Sequence, residues 1–375
     1  MFPQIRRVEC RAKIWGSHAP SALAKGDCDQ GRILSCLLNI PHSNPVAPTA
    51  TSNLEFAHNV SGVNSEQALT VDGFLNPIGG LVLQNAGGGC GETYGIFIAV
   101  PALLDSLPEA QIIMTTHSNA GVSELVLECL PALEDRYQPL VLVSAMAKED
   151  YHYLFEPYQK HMLFATVDVV LDENKKGNRV IENSSVKRLE RYSQDYANRP
   201  KMTAEIPTLN TLVQQGVKLP RIVFVSVSLL EDCPLLLESA THLVLDEAGQ
   251  STTNLLIPLV IRMPKIRKIV LTGDPKQLPN YTGDVPKVIQ RFGFNSLLTY
   301  LPKLTVHPPF TVQLRKSYRF HPELAECLAE TIYGSDLVPA VTAQQRDMLT
   351  RCLEIPLPNR KVPILLLHRI DEDRR

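Results

Sequence analysis

Two acidic side chains close a strongly apolar stretch of the sequence. In HLVLDEAGQ, residues 242–250, the apolar run ends in Asp246 and Glu247, and Gln250 follows three residues later. A short apolar run of this kind indicates a buried strand. A carboxylate at the end of such a strand is placed to hold Mg²⁺, and its neighbour is placed to deprotonate a water molecule. An ordinary turn with satisfied acidic residues is the plain alternative.

A glycine-rich turn earlier in the chain has the layout of a phosphate-binding loop. The stretch GLVLQNAGGGCGET, residues 80–93, leads from an apolar run through a glycine cluster towards a second apolar segment. Glycines let backbone N–H groups converge on phosphate oxygens, and the N-terminus of a following helix adds its dipole. Thr93 stands where a hydroxyl would bind magnesium, but Glu92 stands where such a loop carries lysine. A flexible strand-to-helix turn would show the same glycines.

Two further stretches supply side chains suited to nucleotide chemistry. KIVLTGDPKQLPN, residues 268–280, leads from an apolar run into a turn that contains Gln277, where an amide can sense a terminal phosphate. LRKSYRFHPELAECLAETIYG, residues 314–334, places Tyr318 and Arg319 before a predicted helix. A tyrosine ring can stack on a base, and an arginine can reach a phosphate.

These residues need a scaffold that brings strand ends together, and the rest of the sequence predicts one. Short apolar runs alternate with longer amphipathic ones from about residue 61, which is the pattern of a parallel α/β sheet. Strands are predicted over 80–84, 111–116, 139–144, 221–227, 242–246 and 268–273. Helices are predicted over 93–107, 119–130, 251–261 and 322–333.

Two segments depart from this alternation. Residues 1–60 are predicted to be irregular, with a Pro/Ser/Thr-rich linker at 42–53. Residues 146–218 form a long, polar, helix-prone stretch, and its part 174–201 has eight Lys/Arg against three Asp/Glu, a local charge of +5. A solvated helical face is one interpretation of this charge, and contact with a nucleic-acid backbone is the other.

Composition limits the classes of function. The 375 residues are 44% hydrophobic and carry a net charge of −2, so a polyanion site would depend on local charge. The eight cysteines form no C-x-x-C pair and no zinc-type cluster, which indicates a cytoplasmic or nuclear protein with reduced thiols. No apolar run reaches the roughly 18 residues of a membrane helix, so no membrane partner is expected.

Six motifs in order give the sequence a specific resemblance. The chain shows VNSEQA (63–68), AGGGCGET (86–93), THSNAGVSEL (116–125), DEAGQ (246–250), GDPKQLP (273–279) and KSYRFHPEL (316–324). In this order they resemble the superfamily 1B helicases, in particular the branch of the nonsense-mediated-decay RNA helicase. The resemblance covers about residues 61–368 and implies a RecA-like P-loop NTPase fold, in which helices cover both faces of a parallel sheet.

The resemblance also implies a domain layout. An irregular N-terminal segment would precede a RecA-like domain in two parts, a helical insertion would separate the parts, and the stub of a second RecA-like domain would follow. The corresponding ranges are 1–60, then 61–145 and 219–345 around the insertion 146–218, and finally 346–375.

Each motif residue receives an implied role, with ATP and Mg²⁺ as cofactors. The implied catalytic residues are Asp246, Glu247 as general base, Gln277 and Arg319, and the implied Mg²⁺ ligands are Thr93 and Asp246. The implied nucleotide-binding residues are Gln67 on the adenine edge, Gly89, Gly91, Glu92, Thr93, and Tyr318 packed on the adenine. Ser118 and Asn119 would lie near a bound single strand of RNA or DNA, and Gln250 would couple this strand to the γ-phosphate.

Three departures from the family pattern bear on activity. Glu92 replaces the loop lysine, Gly87 and Gly88 replace the usual Pro-Pro behind Ala86, and the sequence reaches only the beginning of the second lobe. The exchange of lysine for glutamate changes the charge beside a polyanion by two units. At ~4 Å and an effective dielectric constant of ~20, each unit pair is worth roughly 4 kcal/mol before screening. The resemblance therefore implies a degenerate, C-terminally truncated helicase domain.

Three hypotheses stay open from the sequence. The first is an ATP-dependent helicase, impaired by Glu92, that acts with a protein partner supplying the second lobe. The second is a pseudo-helicase that binds nucleic acid or a protein partner without turnover. The third is a truncated product with no separate role, suggested by the end at Arg375.

Overall fold

The structure is a computed structural model. It describes residues 29–39, 62–76, 80–144, 156–199, 203–278, 294–306 and 308–351. The predicted linker at 42–53 lies outside these residues, and the predicted stub 346–375 falls within them only as far as Arg351.

Seven parallel strands form the central sheet of the described residues. They are β1 (Gly80–Ala86), β2 (Ile112–Thr116), β3 (Leu140–Leu142), β4 (Ile222–Ser226), β5 (His242–Leu245), β6 (Lys268–Gly273) and β7 (Phe310–Leu314). Their order across the sheet is β3-β4-β2-β5-β6-β1-β7. All six predicted strands are confirmed, and so is the predicted RecA-like α/β fold. The sequence did not predict β7, because FTVQL mixes polar and apolar residues, as suits an edge strand with partly exposed side chains.

Helices connect and cover these strands. They are α1 (Asp29–Leu38), α2 (Ser65–Leu75), α3 (Glu92–Ser106), α4 (Asn119–Tyr137), α5 (Leu163–Lys175), α6 (Asn183–Asn198), α7 (Glu205–Gln214), α8 (Val227–Glu231), α9 (Pro234–Ser239), α10 (Thr253–Ile261), α11 (Leu297–Tyr300), α12 (Pro322–Leu328) and α13 (Met348–Arg351). Helix α12 continues as a short π-helix, Ala329–Tyr333, and two short strands, β8 (Lys316–Ser317) and β9 (Val338–Pro339), pair beside it. None of the helices within the described ranges is long and apolar enough to cross a bilayer.

The two faces of the sheet carry separate hydrophobic cores. Because successive side chains of a strand point to opposite faces, Leu81 and Leu83 of β1 enter one core, whereas Val82 enters the other. Helices α1, α5, α7 and α10 contribute to the first core, and α2, α3 and α4 contribute to the second. This two-sided burial explains why the inner strands are continuous apolar runs.

The predicted irregular segment 1–60 contains a helix that belongs to the core. In α1, Ile33, Leu34 and Leu37 are buried. Gln30 Nε2 donates to the carbonyls of Val260, at 2.8 Å, and Ile261, at 3.1 Å, at the C-terminal end of α10. The prediction is therefore corrected for these ten residues. Their apolar spacing fits one helix face, but the run is too short to stand out beside the polar residues around it.

The helical stretch predicted at 146–218 lies between β3 and β4 in the chain. Its helices α5, α6 and α7 place Val167, Leu189 and Leu209 in the same hydrophobic core as the strands. The insertion therefore shares its apolar packing with one face of the sheet.

The carboxyl ends of the parallel strands define one edge of the sheet. At this edge lie the glycine loop 87–91 after β1, residues 117–118 after β2, Asp246 after β5, Asp274 after β6 and residues 315–319 after β7. Ligands of open parallel sheets bind outside this edge. The predicted motifs therefore meet where the fold offers a site.

Candidate functional site

The glycine loop after β1 has the backbone of a tight strand-to-helix turn. Gly89 and Gly91 both have φ +74°, a left-handed conformation that favours glycine. Helix α3 begins at Glu92 directly after Gly91, and no side chain caps its first N–H groups. The Cys90 N–H donates to the Gly87 carbonyl at 3.2 Å, which closes the turn. The loop is thus built as a turn whose helix N-terminus is left open to a ligand.

Glu92 brings a carboxylate into this turn. Its oxygen Oε2 is out of contact with solvent and has no hydrogen-bond partner in the described residues. Burial raises the pKa of Glu92 above its ordinary value of 4.5, the carboxylates of Asp246 and Asp274 raise it further, and the guanidinium of Arg319 opposes them. The structure therefore buries an acid, with one oxygen lacking a hydrogen-bond partner, at the first turn of α3 beside the glycine loop.

The acidic pair after β5, Asp246 and Glu247, lies close enough to Glu92 for both carboxylates to raise its pKa. Asp246 Oδ1 accepts the N–H of Glu247 at 2.8 Å, and Glu247 has the left-handed φ of +53° that is uncommon for a residue with a side chain. Burial raises the pKa of Asp246, and the neighbouring carboxylates, first that of Glu247, add to this rise. Burial and the charge of Glu124 raise the pKa of Glu247. A base with a raised pKa is better suited to accept a proton near neutral pH.

Asp274, in the GDPKQLP motif, lies at the same edge of the sheet, although the sequence assigned it no role. It follows β6, is 5% exposed, and accepts the N–H of Lys276 at 2.8 Å through Oδ1. Its other oxygen, Oδ2, accepts the hydroxyl of Tyr333. The Gly-Asp-Pro turn pointed to this residue, but the partner Tyr333 comes from a distant segment that only the fold brings close.

Residues 317–319 cover the loop from above. The Tyr318 N–H donates to the Gly89 carbonyl and the Ser317 hydroxyl to the Gly88 carbonyl, each at 2.9 Å. Arg319 packs its Cβ against Gly89 so closely that a Cβ built on Gly89 would lie 2.2 Å from it. The predicted Tyr318 and Arg319 are thus brought together with the predicted loop.

A small hydrophobic cluster supports the loop from behind. Its buried members are Ala86, Cys90, Val312, Leu314, Ala325 and Leu337, and Phe320 and Tyr333 pack against them. The segment after β7 therefore supplies both the cover and much of the support of the loop.

The side chain of Gln67 is hydrogen-bonded to the glycine loop. Its side chain is buried, and its Oε1 accepts the N–H of Asn64 at 3.1 Å, which completes a capping box at the start of α2. Its Nε2 donates to the Gly91 carbonyl at 3.3 Å. Asn64 Nδ2 in turn donates to the Tyr318 hydroxyl at 2.9 Å. The first and last motifs therefore meet across the loop.

Ser118 and Asn119 lie at the start of α4, after β2. The Ser118 hydroxyl accepts the N–H of Gly121 at 2.8 Å and so serves as the helix N-cap. The adjacent His117 Nε2 lies 2.6 Å from the Ser251 hydroxyl, just beyond the DEAGQ motif. His117, to which the motifs gave no role, therefore connects the start of α4 to the residue that follows the DEAGQ motif.

Gln277 and Gln250 are placed near the acids by their backbones. The Gln277 N–H donates to the Asp274 carbonyl at 3.3 Å, and its side chain is exposed. The Gln250 N–H donates to the Glu247 carbonyl at 3.0 Å in a short 3₁₀ turn. Gln250 and Gln277 therefore lie at the edge of the sheet formed by the carboxyl ends of the strands, as Glu92 does.

The sequence is similar to those of several curated proteins. The chain is 24% identical over 347 residues, 85% of its length, to the DNA polymerase alpha-associated DNA helicase A of Saccharomyces cerevisiae, covering 47% of that protein. It is 21% identical over 276 residues, 68% of its length, to the "Probable RNA helicase armi" of Drosophila melanogaster, covering 21% of that protein. It is 32% identical over 131 residues, 34% of its length, to the regulator of nonsense transcripts 1 of Dictyostelium discoideum, covering 9% of that protein.

The chain contains a superfamily 1 helicase-like domain. It spans less than half of the length of each of these relatives. No family model matches the sequence.

The acidic groups of this helicase-like domain fit Mg²⁺ better than they fit phosphate. Mg²⁺ prefers oxygen ligands and is commonly held by one or two protein groups with water and phosphate, and Asp246 and Thr93 offer such oxygens. The buried, unpartnered Oε2 of Glu92 repels a phosphate as long as the carboxylate is ionised. Within the described ranges, no group of three or more His, Cys, Asp or Glu residues is arranged to hold a metal ion by itself.

Four of the eight basic residues of the positive segment 174–201 of the helicase-like domain lie within 4.0 Å of a carboxylate. Lys176 pairs with Asp172 at 2.5 Å and Arg179 with Glu173 at 2.8 Å. Two further arginines approach one carboxylate: Arg191 and Arg199 lie 3.7 Å and 3.4 Å from the oxygens of Asp195. These pairs favour the solvated helical face over a dedicated nucleic-acid contact.

The contact of Gly89 with Arg319 yields a stability prediction for the helicase-like domain. Gly89→Ala is expected to lower the free energy of unfolding by roughly 1–2 kcal/mol for the left-handed backbone, and by about 1–3 kcal/mol more for the overlap with Arg319. Gly177→Ala is the matched control, because Gly177 has φ +75° but a Cβ there meets nothing within 4 Å. Urea unfolding of both variants measures these changes. Equal losses of unfolding free energy in the two variants would show that the contact with Arg319 adds nothing to the effect.

Proposed function

We propose that this chain is an ATP-binding helicase domain whose affinity for ATP falls when the carboxyl group of Glu92, whose pKa is raised to about 8, ionises. The observation that carries the proposal is the position of Glu92 at the first turn of α3, with one oxygen buried and unpartnered and with Asp246 and Asp274 near it. The surrounding loop, acids and covering tyrosine keep the layout of a nucleotide site.

The roles of the other residues follow from their places at the sheet edge. Asp246 and Thr93 would hold Mg²⁺, which supplies charge neutralisation between the phosphates and the acids. Glu247 would accept a proton from the attacking water, and its raised pKa supports this role. Arg319 would approach the terminal phosphate, since its guanidinium already acts on Glu92 from across the loop. Protonation of Glu92 would remove its negative charge from the site.

A single-stranded RNA or DNA is the proposed partner at the same edge, by way of Ser118 and Asn119. We propose that unwinding, in contrast to nucleotide binding, requires a second RecA-like lobe, in the same chain or from a protein partner, because a motor must close two lobes around the nucleotide. Without that lobe the domain would act as the pseudo-helicase alternative and bind without turnover, an outcome that the charge of Glu92 also favours.

The pH dependence of ATP binding tests the proposal. Because the pKa of Glu92 is raised, the protonated form that tolerates phosphate persists above pH 4.5 and is lost as the pH rises through the raised value. ATP affinity is therefore expected to fall by up to about tenfold for each pH unit above that value. Calorimetric titration between about pH 6 and about pH 9 measures this fall.

Glu92→Gln is the matched control for this titration, because it removes the titrating group and retains the side-chain shape. Its ATP affinity is expected to equal that of the wild type at low pH and to lack the part of the fall that Glu92 causes, while Asp246, whose pKa is raised to about 7, still titrates in both chains. The same linkage predicts that the wild type loses free energy of unfolding relative to Glu92→Gln as the pH rises, since the folded state binds the proton more tightly than the unfolded state. If the ATP affinities of the wild type and of Glu92→Gln changed with pH in the same way, the proposed role of Glu92 would be contradicted.

A further inference from the structure

Gln67 ties the start of one helix to the loop that begins the next. Its side chain is only 3% exposed. Oε1 accepts the N–H of Asn64, and Nε2 donates towards the carbonyls of Gly91, at 3.3 Å, and Cys90, at 3.5 Å. A Cβ built on Gly91 would lie 2.5 Å from Gln67 Nε2, which shows how closely the amide and the loop backbone approach.

These bonds use the donors that would read an adenine. The edge of adenine offers the N7 acceptor and the N6 donor, so a glutamine reads it by donating from Nε2 and accepting at Oε1. A glutamine amide has two N–H donors in all, and Nε2 of Gln67 lies within hydrogen-bond distance of two loop carbonyls. A base could reach Nε2 only by displacing the loop from a buried contact.

We propose that Gln67 is a positioning residue that sets the loop for the phosphates, and that the site takes nucleoside triphosphates with little selection of the base. This inference rests on the proposed nucleotide-binding function. The neighbouring Asn64 is engaged in the same way, since its Oδ1 caps α2 and its Nδ2 donates to the Tyr318 hydroxyl. Tyr318 can still stack a ring, but stacking accepts every base.

Affinities for ATP, GTP and inorganic tripolyphosphate test the proposal, measured by calorimetry on the Glu92→Lys chain with and without Gln67→Ala. The Glu92→Lys chain is expected to bind ATP and GTP within about threefold of each other. Gln67→Ala is expected to weaken all three ligands by a similar factor of about five- to tenfold, since it loosens the loop that meets the phosphates. Weakening of ATP alone, with GTP and tripolyphosphate unchanged, would overturn the proposal.

Gln30→Ala is the matched control. Gln30 is also 3% exposed, and its Nε2 also donates to two carbonyls, but these belong to the end of α10. Helix α10 begins near the carboxyl ends of the strands, just after the DEAGQ motif, and runs back towards the start of β6. Its C-terminal end, which Gln30 contacts, therefore lies at the opposite edge of the sheet from the candidate site. Gln30→Ala is expected to lower stability without a change in ligand affinity. Equal weakening by both variants would assign the effect to general destabilisation and overturn the positioning role.

Hydrogen exchange of the amides of residues 89–92 gives a readout that needs no ligand. Gln67→Ala is expected to speed exchange in this loop by about fivefold over the parent chain, and unchanged exchange would overturn the proposal. If none of the three ligands binds the Glu92→Lys chain, the proposed function fails. In that case faster exchange still supports the positioning role of Gln67, and unchanged exchange removes it.

Discussion

Above the raised pKa of Glu92, about 8, replacement of Glu92 with lysine is expected to tighten the binding of ATP by on the order of a hundredfold or more. The exchange reverses two units of charge beside the phosphates, each worth roughly 4 kcal/mol at ~4 Å and an effective dielectric constant of ~20 before screening. Screening by solvent and salt leaves about 3 kcal/mol, which corresponds to about a hundredfold in affinity. Calorimetric titration of both purified chains with ATP and Mg²⁺ gives the two affinities.

Two control variants separate charge from other effects of this change. Glu92→Gln removes one unit of charge and should recover only part of the gain. Lys276→Glu changes an exposed residue two positions beyond Asp274 and should have a far smaller effect on affinity, because solvent screens it. An affinity that is the same for glutamate, glutamine and lysine at position 92 would show that the loop does not meet the phosphates.

Glu247→Gln, made in the Glu92→Lys chain, is expected to lower the rate of ATP hydrolysis by about a hundredfold to ten-thousandfold, the range for loss of a general base. The affinity for ATP should change little, because Asp246 and the loop are left intact. Burial and the charge of Glu124 raise the pKa of Glu247, which suits it to accept a proton. Single-turnover hydrolysis with single-stranded RNA or DNA present measures the rate.

Glu124→Gln is the control for this second variant. It removes an exposed carboxylate that acts on Glu247 without being the base, so it should shift the pH profile of hydrolysis towards lower pH and leave the maximal rate nearly unchanged. If Glu247→Gln hydrolyses ATP as fast as its parent, another group activates the water and the assignment of Glu247 is wrong.

The sequence predicted the inner strands well for a physical reason. Strands β1, β2, β4, β5 and β6 are buried along their length, and each contains an apolar run of at least three residues. Strand β7 lies at the edge and helix α1 contributes only a few apolar residues to a shared core, so neither carries a strong local pattern. Local patterns identify elements that are buried along their whole length.

Side-chain contacts across the site could not be predicted in the same way. In the structure, Gln67 and Tyr318 contact the glycine loop, but the hydrogen bonds of Gln67 depend on how α2 meets the loop. The contact between Tyr333 and Asp274 joins a π-helix to a turn after β6. Such pairings follow from tertiary packing, which no spacing within a motif records.

The small cluster behind the glycine loop has a consequence for how the protein loses structure. Apart from Ala86 and Cys90, its buried side chains come from β7, from α12 and from Leu337 just before β9, whereas Asp246 and Asp274 follow β5 and β6. A recombinant fragment that stopped after β6 would retain Asp246 and Glu247 but would leave Cys90 and Ala86 facing water. On heating, the glycine loop is therefore expected to melt together with the segment after β7, as one cooperative unit, before the middle of the sheet opens.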